Sequence, residues 1–73
     1  MSRDILDALK KKYEAEIDIA KATIQIYLDK PVGIGEHAQF AEEIDKQLEA
    51  ITCATDKIKA IDKHYPNEDD IPF

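Results

Sequence analysis

The last six residues, Glu68-Asp69-Asp70-Ile71-Pro72-Phe73, combine an acidic run with a proline-stiffened apolar tip, and Phe73 is expected to carry a free main-chain carboxylate. That is binding chemistry rather than bond-breaking chemistry. A pocket with an apolar floor and an Arg or Lys at its rim would take both the ring and the carboxylate, because a guanidinium holds a carboxylate through two parallel bonds. Burying the ring is worth roughly 1.5–3 kcal/mol. Pro72 fixes one backbone dihedral and biases Ile71 toward an extended shape, so less entropy is lost on docking. Glu68, Asp69 and Asp70 add attraction to a basic surface, which salt screens. Capture of a terminal carboxylate is a known mode of peptide recognition. The plainer reading is an acidic, frayed tail that only solubilises the chain.

This tip resembles the C-terminal tip of bacterial single-stranded-DNA-binding proteins (SSBs). In that family the tip does not bind DNA; it docks into pockets on replication, recombination and repair proteins. The resemblance covers six of 73 residues. It implies that Asp69, Asp70, Ile71, Pro72 and Phe73 are partner-binding residues, and that the partner is an SSB-tip-binding protein of replication, recombination or repair. The rest of the chain cannot be an SSB body. Residues 66–73 are therefore expected to be a tail on a separate unit, residues 1–65.

Other reactive residues suggest less. Gly33-Ile34-Gly35 ahead of a helix would present N–H groups to an anion, but no strand precedes it and no Gly-Lys-Ser/Thr follows. A hairpin turn is the better account. The segment Pro31-Val32-Gly33-Ile34-Gly35-Glu36-His37 resembles one in small uncharacterised proteins of T4-like tailed phages, and the resemblance extends loosely over the flanking helices. It implies a phage accessory protein and carries no catalytic residue with it. His37 and His64 fall near opposite ends of one helix, about 40 Å apart by helical rise, so they cannot share a site within a chain. His64 suits a helix C-terminus, where positive charge is favoured. Cys53 has no basic cluster beside it to activate a thiolate. Most carboxylates, among them Glu14, Asp18, Glu42 and Glu49, read as a solvated face. Glu42 with Lys46 and Asp56 with Lys59 are spaced to pair along a helix.

Composition sets the outer bounds. Seventy-three residues allow one small domain with a thin core. Ten basic and sixteen acidic residues give a net charge of −6. Without the three tail acids, thirteen acids face ten bases, so the rest carries −3. No basic face large enough for phosphates is present, and direct nucleic-acid binding is not expected. A single cysteine excludes an internal disulfide framework and fits a reducing compartment. The chain opens on no apolar signal segment, and its uncharged stretches are too short to span a bilayer. The expected location is cytoplasmic, in a host cell if the protein is phage-encoded.

The elements that must carry the tip are two long helices. Leu6, Leu9, Tyr13, Ile17, Ala20, Ile24 and Tyr27 recur at three- and four-residue steps and form one stripe. No Gly or Pro interrupts residues 3–29, and Ser2 or Asp4 is placed to cap the start. Pro31 disfavours helical geometry at Lys30, and Gly33 and Gly35 permit a sharp turn with Val32 and Ile34 as plugs. The second helix is expected over residues 36–65, ended by Pro66. Ile44, Ile51, Ile58 and Tyr65 are seven apart, with Leu48 and Thr55 on one side and Ala54 and Ile61 on the other. A strict seven-residue repeat implies left-handed, coiled-coil-like packing.

The first helix carries a second line, Ala8, Ala15, Ile19, Ala22 and Ile26, well away from the first stripe. A lone hairpin needs one stripe per helix, so the second line is expected to be an oligomer interface. The fold predicted is all-α: an antiparallel two-helix hairpin that assembles into a dimeric four-helix bundle or a higher bundle. The expected function is that of a binding protein, not an enzyme, with no cofactor, no metal and no membrane contact. The alternative is a structural or assembly protein with an incidental acidic tail. A third reading, a recombination accessory protein that binds nucleic acid directly, fits the charge poorly.

Overall fold

The computed structural model describes residues 3–30 and 37–67. They form two α-helices, α1 over Asp4–Asp29 and α2 over His37–His64, packed antiparallel as a hairpin of 55 × 18 × 17 Å. The expected all-α hairpin is borne out, with helix bounds within a residue of those read from the sequence. The turn residues Pro31, Val32, Gly33, Ile34 and Gly35 lie outside the described residues, as do Ser2 and the tip, Glu68–Phe73.

Helix α1 begins differently from expectation. Arg3 occupies the N-cap position with helical backbone angles and no side-chain cap bond. Asp4 is not the cap but lies inside the first turn with Asp7. There the two carboxylates favour the positive end of the helix dipole. The helix ends as the sequence requires: Lys30, forced away from helical geometry by Pro31, is extended at φ −77° and ψ 135°. Its N–H turns back to the carbonyl of Tyr27 at 3.3 Å. Lys63 and His64 occupy the last turn of α2, where cations are favoured.

The stripe on α1 faces α2. Ala20 is buried, and Leu6, Leu9, Tyr13, Ile17, Ile24 and Tyr27 are half-buried. On α2 the deepest positions are Ala54 and Ile61, with Ile44, Ile51 and Ile58 half-buried beside them. The seven-residue line is therefore one edge of the contact, not its centre. Two readings are corrected. Tyr65 lies beyond the helix end and is 61 % exposed, and Leu48 is half exposed. Tyr65 departs because α2 has already ended at His64, and Leu48 because the centre of the contact runs through Gln47, Ala54 and Ile61, a heptad line one wheel step from Ile44, Ile51 and Ile58. Alanine on both helices, 2 % exposed at Ala20 and at Ala54, lets the backbones approach closely at mid-length.

Candidate functional site

The tip residues Asp69, Asp70, Ile71, Pro72 and Phe73 lie outside the described residues, so the site is described from its base and from the surfaces of the hairpin. The base is the open end, where the start of α1 meets the end of α2. Arg3 donates through Nη1 to the carbonyl of Tyr65, one residue beyond α2. The same side chain pairs through Nε with Asp7 Oδ1 at 3.2 Å, one helical turn on. Lys10 Nζ reaches Asp62 Oδ1 at 2.7 Å, a link across 52 residues of sequence. The hydrogen bond to Asp62 raises the Lys10 ammonium above its usual range, assisted by the charges of Asp62 and Glu14. Pro66 and Asn67 then run on exposed. The tail thus leaves from a point tied to α1 on the far side of the last turn of α2.

None of the anchoring residues was singled out for this role from sequence. Lys10, the first of three consecutive lysines, meets an acid of its own chain. Lys57 Nζ sits 5.2 Å from the centre of the Tyr13 ring, a second cross-helix cation contact. At the other end the rings of Tyr27 and Phe40 meet edge to face, with centres 5.3 Å apart, and Lys30 Nζ lies 6.0 Å from Tyr27. Phe40 had a legible signal: it lies four residues before Ile44 and continues its line toward the turn. Lys46 pairs with Glu43 at 3.3 Å rather than with Glu42.

The second line of α1 is exposed throughout: Ala8, Ala15 and Ala22 face solvent, with Ile19 at 66 % and Ile26 at 61 %. Ile19 also borders a shallow groove of about 350 Å³ between the helices, lined by Ala20, Ala50, Cys53 and Ala54, with Glu16 and Lys57 at its edge. Cys53 is a free, exposed thiol there, opposite Ile44, Ile51 and Ile58 on the helical wheel. Among the described residues no group of three or more His, Cys, Asp or Glu converges as a metal site would require. The first residue of α2 is His37 and the last is His64, so the two histidines stand a helix length apart. No helix among the described residues is long and apolar enough to cross a membrane. Comparison with protein-family models, with curated proteins and with solved structures finds no match to this chain.

Proposed function

We propose that this protein is a protein-binding module whose C-terminal residues act as an SSB-like tip, engaging SSB-tip-binding proteins of replication, recombination or repair. The observation that carries the reading is the sequence Glu68-Asp69-Asp70-Ile71-Pro72-Phe73. Asp69 and Asp70 supply attraction to a basic rim, Ile71 and Pro72 an extended apolar approach, and Phe73 the ring and carboxylate. The reading requires Phe73 to carry the free carboxylate. The anchored end of α2 supports it, since the six residues follow Asn67, two residues beyond the Tyr65 carbonyl that Arg3 holds. At up to ~3.6 Å per residue they reach no more than about 22 Å from Asn67. Partners must therefore come to the open end of the hairpin. Docking either recruits the partner or displaces the cell's SSB from it.

Fluorescence competition tests this directly. A labelled SSB tip peptide is bound at low salt to each of a panel of tip-binding proteins, and the full chain is titrated in. Displacement is expected. Deleting Phe73 removes ring and carboxylate together, and weakening by about 30-fold or more is expected of such an anchor. Adding one residue after Phe73 displaces the carboxylate and should have a comparable effect. Replacing Asp69 and Asp70 by Asn weakens binding moderately and flattens its salt dependence. A full-length chain that displaces the peptide from no member of the panel sinks the reading. The assembly reading then stands in front. The exposed apolar residues of the helices favour it, among them Ile5 at 68 %, Ile26 at 61 % and Leu28 at 63 %.

A further inference from the structure

The link between Lys10 and Asp62 fixes which flanks of the two helices share one side of the hairpin. In α1, Ile17 and Ile24 follow Lys10 at seven-residue steps, and Leu28 comes one turn after Ile24. In α2, Leu48 lies two heptads before Asp62, and Ile44 and Ile51 flank Leu48 within one turn on either side. Residues at these spacings stay in one sector of a helix. Ile17, Ile24, Leu28, Ile44, Leu48 and Ile51 therefore form one continuous face drawn from both helices. Its four isoleucines are only half-buried, and Leu28 and Leu48 are 63 % and 50 % exposed. The groove with Ile19 and Cys53, and the alanine line of α1, lie on the opposite side.

We propose that this isoleucine–leucine face seats a second copy of the hairpin, making a four-helix bundle whose central core is this face, with the alanine line left outside. The burial argues for it. Only Ala20, Ala54 and Ile61 are buried among the described residues, and no large side chain is fully enclosed. A core this thin does not ordinarily sustain a fold of this size.

The occupant follows from the pattern. The face repeats every seven residues on both helices, which suits knobs-into-holes packing against another pair of helices of like spacing. Its rim carries both signs, Glu14 and Lys21 on α1 and Lys59 on α2, beside the internally paired Lys10 and Asp62, so a twofold partner can bring opposite charges together. The alanine line belongs to α1 alone and contributes few large side chains. The inference does not rest on the tip reading and survives its failure.

Sedimentation equilibrium at micromolar concentration, paired with thermal melts over a range of concentrations, tests the proposal. The wild type is expected at twice 8.3 kDa, with a melting temperature that rises with concentration. In a twofold interface each substitution counts twice, so Leu48→Glu and Leu28→Glu place uncompensated charges in the core. Each is expected to raise the dimer Kd at least 100-fold. Ile19→Glu, on the opposite side, is expected to leave the dimer intact. Circular dichroism distinguishes dissociation from unfolding, and the wild-type melts decide the matter if a variant unfolds. A wild-type monomer with concentration-independent melting overturns the proposal. So does a dimer that persists in both leucine variants. Dissociation by Ile19→Glu but not by Leu48→Glu would assign the seat to the alanine line instead.

Discussion

Replacing Ile61 by alanine probes the packing between α1 and α2 at its deepest large side chain. Ile61 is 7 % exposed, near the open end where Arg3 and Lys10 cross to α2. The substitution removes three carbons, worth about 0.8 kcal/mol each on burial, or about 2.4 kcal/mol. A cavity term adds to this, but two helices near their ends can close partly over the gap. The better helix propensity of alanine returns a few tenths of a kcal/mol. The net loss expected is about 2–3 kcal/mol. A chain of 73 residues has a total stability of only ~4–11 kcal/mol at 0.05–0.15 kcal/mol per residue. The variant should therefore melt about 10–20 °C lower. Urea unfolding followed by circular dichroism at fixed protein concentration gives the comparison, with an unchanged slope confirming the same transition. Ile26→Ala, at a side chain 61 % exposed on the alanine line, should change stability by no more than about 0.5 kcal/mol. Equal losses at the two positions would refute the assignment of Ile61 to the core. A loss at Ile26 alone would mean that the alanine line, not the α1–α2 contact, carries the stability.

Ala54→Leu forces added volume into the closest approach of the helices, where Ala54 and Ala20 are each 2 % exposed; destabilisation of about 1–3 kcal/mol is expected in the same urea assay. The raised pKa of Lys10 makes its contact with Asp62 a source of stability that is fully present below 10.5, the ordinary lysine value, and lost as pH rises through the higher folded value. Asp62→Asn should abolish that alkaline loss and bring the Lys10 side-chain NMR titration back toward its ordinary range. An unchanged titration would show that Asp62 does not hold the ammonium.

The fold was largely legible because it is local. Three- and four-residue steps from Leu6 to Tyr27 can bury one stripe only as a helix, and that stripe is the one turned toward α2. Pro31 dictated the extended backbone at Lys30 through a clash between neighbouring residues. The proposal of an SSB-like tip likewise rests on consecutive residues, Glu68–Phe73, and on the sequence alone.

Periodicity specifies an angle around one helix axis and nothing about a second helix. From sequence, Ile44, Ile51 and Ile58 looked like the centre of the contact. Packing turned α2 by a wheel step, put Ala54 and Ile61 deepest, and left Leu48 half exposed. Two small residues at the crossing permit closer backbones than an isoleucine pair would. Arg3 on the carbonyl of Tyr65, and Lys10 on Asp62, join residues 62 and 52 positions apart. Neither pair is written into any local pattern. Once α1 and α2 pack antiparallel with given stripes inward, the side on which each flank falls follows, because a stripe fixes the rotation of each helix about its axis. The tertiary packing, by deciding which stripes face inward, gathers isoleucine and leucine on one side and alanine and Cys53 on the other.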